Sequence, residues 1–513
     1  MSSFYVENFG CRATQSDGAA IEQQFRERGL GRADRLEAAD WVIFNTCAVT
    51  AAAEQDARAA IRRARRENPA CKIVVTGCYA QRDPAEVASL SGVTTVIGNS
   101  HKHALAQIAL GAEPLPAGPS SGSFVPLSSL TSAGPSESGA GVFVSDIFAH
   151  TELLAAPVFD SANERTRPNL KIQDGCNNRC SFCIIPSVRG RSRSSRLEEV
   201  LSEVNQLVAS GYREVVISGI NLGRWGRDLK PSKNEMEARR PRPPHLEELV
   251  RAILNETSLE KLRISSVEPM DWTDSFIQLM ADSPRIAKHA HAPMQSGSDA
   301  VLRRMHRRYR PWHYREKIEK IRAAIPGAAI GADVMVGFPG ETDSDFHETR
   351  RMIENLPFTY MHVFTFSARP GTPAATMPHQ VPVHVSRERN RILRELAAEK
   401  KLVFMRSFVG RQLSAITLSN GRNAVARDSA NGDVICLAQP GGARVSLVPT
   451  RSSHPEFGTA VSRALPGSTT YTHALTDNYL KLNLRGVHSP NSWVKVLIES
   501  VEDGALVGRL DER

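Results

Sequence analysis

The segment QDGCNNRCSFCIIP carries three cysteines, Cys176, Cys180 and Cys183, in CxxxCxxC spacing. Three thiolates on one tight loop can hold three irons of a 4Fe-4S cubane, which leaves the fourth iron without a protein ligand and open to a substrate. Zinc is the alternative on spacing alone, since thiolates suit it too. A closed zinc site needs a fourth ligand, and no His or further Cys occurs between Cys183 and His245. Three more thiols are placed differently: FYVENFGC closes on Cys11, WVIFNTC on Cys47 and KIVVTGC on Cys78. Each follows directly on a short apolar run that reads as a β-strand. In a reducing compartment, clustered cysteines point to metal or redox chemistry and isolated ones to plain thiols, which is the reading for Cys71 and Cys436.

The elements that must position these thiols follow from the pattern around them. FYVENF, WVIFNT and KIVVTG alternate with helix-like segments near 17–28, 50–67 and 84–90, the signature of a parallel sheet covered by helices. Ligands of such a sheet bind beyond the carboxyl ends of its strands. Cys11, Cys47 and Cys78 all fall at that edge and can converge as three ligands of one metal site, whereas Cys71 precedes its strand. This domain is expected over residues 1–112. Residues 113–165, rich in Pro, Gly, Ser and Ala, read as a linker or insertion. From 166 to 406 six strand candidates, NLKIQDG, REVVISGI, KLRISSVEP, AKHAHAPM, AAIGADVMVGF and YMHVFTFS, alternate with helices and predict a parallel partial (β/α) barrel. A charged, Pro-rich loop at 227–244 interrupts it. After a helix near 385–405, residues 407–513 predict a small β-barrel with an insertion. The fold class is thus α/β with a β-barrel appended.

Composition sets the outer bounds. The chain has 513 residues, 41% hydrophobic and 23% charged, as in an ordinary folded protein of about three domains. No apolar run approaches the ~20 residues of a spanning helix, and MSSFYVENFGC lacks the basic start and apolar core of a signal peptide, so a cytoplasmic location without membrane attachment is expected. The net charge of +9 favours an acidic partner such as nucleic acid.

A CxxxCxxC loop directly after the first strand of a parallel barrel resembles the radical S-adenosylmethionine (SAM) enzymes, whose open iron chelates SAM. HAPMQSGSDAVLRRMHRRY, GADVMVGFPGETDSDF and FTFSARPGTPAATMP narrow the resemblance to the methylthiotransferases, as does the three-cysteine N-terminal domain. ALTDNYLKLNL, near residue 480, is similar to the TRAM RNA-binding barrel of that family. The resemblance covers most of 4–112 and 166–406, and more weakly the end. It implies two 4Fe-4S clusters, one on Cys176, Cys180 and Cys183 and a second on Cys11, Cys47 and Cys78. It further implies sulfur insertion into an unactivated C–H bond, with one SAM split to a radical, another SAM giving the methyl group, and an electron donor such as flavodoxin or ferredoxin. KIQDGCNNRCSFCIIPSVRGRSRS, ISGINLG and RISSVEPMDW most resemble the branch that methylthiolates N6-threonylcarbamoyladenosine beside the anticodon (position 37), with the tRNA anticodon stem-loop as partner. Isopentenyladenosine in tRNA and an aspartate of a ribosomal protein are the alternatives. Thr14, Ser16 and Ser187 depart from the family's usual residues.

The resemblance places SAM contacts near Gly219 and Gly337, each of which can equally be a strand-end turn. Glu268 and Ser296 end barrel strands, where functional groups collect, or cap the helices that follow. Phe182 packs on the SAM adenine or fills core. His289 and His291 share a strand face and read as structural. Two basic runs, Arg189 to Arg196 and Arg303, Arg304, Arg307, Arg308 and Arg310, with Tyr309, Trp312 and Tyr314 interleaved, can bind phosphates and stack on bases, although such runs are commonly solvated helix faces. The competing class is a non-catalytic RNA-binding protein stabilised by metal.

Overall fold

A strand covered on both faces has no solvent side toward which to alternate. WVIFNT is such a strand: all six residues are buried. In a computed structural model, which describes residues 2–111, 140–150, 153, 166–229, 244–419 and 470–511, it forms β3 (Trp41–Thr46). Its neighbours are β1 (Ser3–Asn8), β2 (Gly31–Arg32), β4 (Lys72–Gly77), β5 (Val93–Gly98) and β6 (Gly141–Phe143). The spatial order is β2-β1-β3-β4-β5-β6 and every pairing is parallel. Helices Arg12–Glu27, Ala51–Glu67 and Pro84–Ala88 stand close to where the sequence pattern puts them. The strand β6 is a correction. It lies within 113–165, read above as a linker, but pairs Gly141 to Phe143 with Thr95 to Ile97; three residues are too few to announce a strand by periodicity.

All six barrel strands expected from the sequence are present: β7 (Asn169–Asp174), β9 (Glu214–Gly219), β10 (Lys261–Ile264), β11 (His289–His291), β12 (Ala329–Val336) and β13 (Tyr360–Thr365). A short β8 (Arg193–Ser194) runs antiparallel to β7. β7, β9 and β10 pair in parallel, as do β11, β12 and β13, and a parallel bridge from Leu262 to Ile286 joins the two groups into one partial barrel. One continuous apolar core, with Trp225, Trp272 and Tyr314 fully buried, lies between this sheet and its helices. β14 (Gln412–Thr417), β15 (Tyr471–Thr476), β16 (Lys481–Arg485), β17 (Trp493–Glu502) and β18 (Ala505–Leu510) close into the C-terminal barrel. No described helix is long and apolar enough to cross a membrane. The loop 227–244, apart from its first three residues and Pro244, lies outside the described residues, as does Cys436.

The N-terminal unit grips both ends of the partial barrel. At the far end, Arg369 lies 3.2 Å from Glu54, which also takes Arg82 at 2.9 Å. At the near end, five buried ionic side chains form one network. Asp17 pairs with Lys102 at 3.0 Å, with Arg189 at 3.0 Å and with Lys171, and Asp174 takes Lys171 at 2.9 Å and Arg189 bidentately at 3.0 Å. Asp17 and Lys102 belong to the first unit, Lys171, Asp174 and Arg189 to the second, and all five are nine-tenths or more buried. Charges this dry stay ionised only when paired and hydrogen-bonded. Burial alone would raise the Asp17 pKa; Lys102, Lys171 and Arg189 outweigh it and lower it to about 2.

Two outcomes follow from this frame. The depressed Asp17 pKa means that its stabilisation is complete above the unfolded-chain value of ~3.9 and is lost as pH falls toward about 2. Asp17→Asn should therefore flatten the acid limb of a stability-versus-pH profile, and should cost about 3–5 kcal/mol at neutral pH because it strands buried cations. At Gly77, φ is +98° and a Cβ would stand 2.3 Å from the Thr46 carbonyl oxygen and 2.5 Å from its nitrogen. Gly77→Ala should lower the Tm, with a loss of about 1–3 kcal/mol.

Candidate active site

The strand ends bring the N-terminal thiols together. Cys11 stands at the N-cap of helix Arg12–Glu27, Cys47 follows β3, and Cys78 opens the short helix after β4. Gly10, at φ +107°, lets the first loop pass so close that a Cβ there would lie 2.8 Å from the Cys47 Cβ. The Val49 amide donates to Cys47 Sγ at 3.5 Å, and Asn99 Nδ2 reaches both Cys78 Sγ, at 3.7 Å, and the Val188 carbonyl, at 2.7 Å. Burial raises the Cys47 pKa, and the neighbouring Cys78 and Cys11 raise it further. Of the family departures, Thr14 is buried with its hydroxyl 3.7 Å from Cys11 Sγ, Ser16 is fully buried and Ser187 is exposed.

Cys176, Cys180 and Cys183 follow β7 on one loop. Their sulfurs meet donors: the Asn178 amide at 3.4 Å and Asn221 Nδ2 at 3.5 Å on Cys176, and an Arg307 nitrogen at 3.3 Å on Cys180. Burial, then Cys180 and Cys176, push the Cys183 thiol up to about 12. Thiols so disposed give up their protons to a bound metal centre. All six cysteines are free. A single zinc ion with Zn–S bonds of ~2.3 Å draws its sulfurs to about 3.8 Å of one another. Among the described residues, the one group of three ligand atoms lying within 4.8 Å of one another is His291, Asp333 and His362. In neither cysteine trio do all three sulfurs stand within 4.8 Å of one another.

One cavity of about 660 Å³ unites these parts: Cys11 from the first trio and all three cysteines of the second line it. Phe182, Gly219 and Glu268 line it too, with Glu268 ion-paired to the buried Arg307. Ser296 and Gly337 do not. Ser296 is fully buried, sharing a hydrogen bond with the Thr349 hydroxyl at 3.1 Å, and a Cβ on Gly337 would meet Ser386. His289 and His291 face the cavity with Asp333, Tyr360 and His362, three residues that no sequence pattern singled out. Asp333 accepts from His362 at 3.1 Å and lies 3.4 Å from His291, while His289 Nε2 and the Tyr360 hydroxyl are 2.6 Å apart. The third wall is Tyr479 from the turn between β15 and β16, its ring 4.4 Å from that of His289.

The basic runs are less uniform than their composition suggests. Arg303 and Arg308 are exposed, but Arg304 bonds the Gly340 carbonyl at 2.9 Å and Arg307 is 7% exposed beside Cys180. Tyr309 and Tyr314 are buried, their hydroxyls bound to the carbonyls of Met294 and Ala292 at 2.7 Å, so neither can stack on a base. Of the interleaved aromatics only Trp312, 56% exposed, stays available. Arg189 belongs to the buried network.

Comparison with known proteins agrees with this arrangement. The Radical SAM superfamily model matches residues 170–353, and the model described as Uncharacterized protein family UPF0004 matches residues 3–98. The chain is 38% identical to the threonylcarbamoyladenosine tRNA methylthiotransferase MtaB of Bacillus subtilis (strain 168) over 76% of its length and 79% of that protein. It is 32% identical to the tRNA-2-methylthio-N(6)-dimethylallyladenosine synthase of Parafrankia sp. (strain EAN1pec) over 96% of its length and 92% of that protein. In fold it is similar to the radical S-adenosylmethionine methyltransferase TsrM from Kitasatospora setae, with TM-score 0.51, 15% identity, and 73% of this chain and 77% of that one covered. A CxxxCxxC loop at the mouth of a parallel partial barrel, a three-thiol sheet edge beside it and relatives matched over most of their length place the chain in the radical SAM methylthiotransferase family.

Proposed function

We propose that this protein converts N6-threonylcarbamoyladenosine next to the anticodon of tRNA to its 2-methylthio derivative, using SAM and two 4Fe-4S clusters. The observation that carries the reading is the shared cavity, which Cys11 enters from one trio and Cys176, Cys180 and Cys183 from the other. Cys176, Cys180 and Cys183 would hold the cluster that binds SAM, and Cys11, Cys47 and Cys78 the auxiliary one. With SAM bound and an electron delivered, they would supply a radical able to take a hydrogen atom from an unactivated C–H bond, and the sulfur and SAM-derived methyl group that replace it. Everything else falls to the chain's own residues. Asn221 and Arg307 donate toward the sulfurs of Cys176 and Cys180, Glu268 holds Arg307 in place, and Phe182 and Gly219, which line the same cavity, would pack on the adenine of SAM. Walls from three units would limit the access of water to a radical reaction.

The substrate assignment follows the relative from Bacillus subtilis, and the net charge of +9 suits a polyanion. The C-terminal barrel and the exposed Arg303, Arg308 and Trp312 offer surface to the stem-loop, and a flavodoxin or ferredoxin would deliver the electrons.

Anaerobic reconstitution should give brown protein with about eight irons per chain, four for each cubane. Replacing Cys11, Cys47 and Cys78 by Ala should leave about four irons with SAM cleavage intact. Replacing Cys176, Cys180 and Cys183 should abolish SAM cleavage; its survival would reverse the two assignments. In a strain lacking the protein, nucleoside mass spectrometry of bulk tRNA should find threonylcarbamoyladenosine without its methylthio group and isopentenyladenosine with it. A normal methylthio profile would reject the substrate.

A further inference from the structure

A polar atom buried without a hydrogen-bond partner costs free energy until a ligand satisfies it. Several such atoms face the shared cavity: a terminal nitrogen of Arg167, Asn169 Oδ1, Ser218 Oγ and His289 Nδ1. Asn169, Ser218 and His289 are each at least nine-tenths buried. The wall they form asks for a polar occupant.

Its charge asks for an anion. Of the charged groups lining the cavity, Glu268 is spent on Arg307, and Asp333 on His362 and His291. Arg12 and Arg167 are left. Among the described residues no carboxylate pairs with Arg12, whose guanidinium donates to the Tyr479 hydroxyl at 3.0 Å. Arg167 Nη1 stands in a long ion pair with Glu214 Oε1 at 3.6 Å but makes no hydrogen bond, since that oxygen already takes Arg263 Nε at 2.6 Å. Lys261 is occupied by Asp477 at 3.1 Å. Arg12 and Arg167 both line the cavity with His289, whose pKa is pushed down by burial, Arg263, His291, Arg12 and Arg167.

We propose that Arg12 and Arg167 receive the carboxylate of the threonylcarbamoyl group, and that this pairing separates the substrate from a nucleoside bearing a dimethylallyl group. The inference rests on the substrate reading above. A guanidinium fork matches a carboxylate in shape and charge. The threonyl hydroxyl and the urea N–H groups can meet Ser218 and Asn169. A dimethylallyl group offers no donor or acceptor and would leave all of these atoms unpaired, which is how a site built for polar contacts rejects an apolar analogue. Tyr479 acts as a positioning residue, holding Arg12 from the C-terminal barrel.

The test uses full-length enzyme with both clusters reconstituted and three anticodon stem-loop RNAs: one with threonylcarbamoyladenosine, its twin with the carboxylate as a methyl ester, and one with dimethylallyladenosine. Fluorescence anisotropy reads the Kd of each. The native enzyme should bind the acid about tenfold or more tighter than the ester, as expected for a charge-assisted hydrogen bond. Arg167→Met should bring that ratio near one by weakening the acid alone, and Arg167→Lys should keep part of it. Arg12→Met should act in the same direction, with iron content reporting whether the neighbouring Cys11 site survives. Equal binding of acid and ester by the native enzyme, or an unchanged ratio in Arg167→Met, overturns the proposal while the substrate reading stands. Tightest binding and methylthiolation of the dimethylallyl RNA would overturn both.

Discussion

A salt network that no solvent reaches is what aligns the two halves of this enzyme. Asp17 from the first unit and Asp174 from the first barrel strand share three cations, Lys102, Lys171 and Arg189; the first unit brings one cation for its one carboxylate, whereas the second brings two for one, and its surplus is met by Asp17 across the interface. Pulled apart, each would expose charges whose partners lie across the interface. Such a network is a weak source of net stability but a strong constraint on geometry, because only one docking satisfies every donor. That docking sets the edge bearing Cys11, Cys47 and Cys78 beside the loop bearing Cys176, Cys180 and Cys183. The network also keeps one positive charge in excess, beside sulfurs that must become anionic, and Asn99 ties Cys78 to the Val188 carbonyl next to Arg189.

The fold was legible wherever a local period reports it. Continuous apolar runs such as WVIFNT and KIVVTG announced strands buried on both faces, and their alternation with helices announced parallel sheets. The thiols were legible because a strand's end is a position in sequence as well as in space. What stayed hidden depends on partners far apart in the chain. Lys171 and Asp174 sit in NLKIQD, all six residues of which are buried, and nothing local says that Asp17 and Arg189 will meet them. Two charged residues inside a strand that must be covered were the available signal.

The same limit applies to residues that lie away from the cavity. Ser296 and Gly337 end barrel strands, as functional groups do, yet Thr349 and Ser386 from later helices close over them. Tyr309 and Tyr314 stand among arginines like stacking residues, but both turn inward, Tyr309 from the bend before the helix and Tyr314 from its buried face, onto the carbonyls of Met294 and Ala292. Asp333, Tyr360 and His362 alternate on neighbouring strands and line the cavity only because β12 and β13 pair in one register, Asp333 opposite His362.

The turn between β15 and β16 is a small feature with a large reach. Tyr479 holds a positive φ of 67° there, beneath the Arg263 guanidinium, while Asn478 bonds the Gly327 carbonyl and Arg263 bonds the carbonyls of Asp477 and Thr476. A domain on a loose tether can be cut away and leave an intact enzyme behind. This barrel is not detachable in that sense: removing it would strip a wall from the cavity and uncap a buried guanidinium in the partial barrel. A truncated chain would therefore be a differently shaped catalyst, and its failure would not measure how firmly the barrel grips RNA.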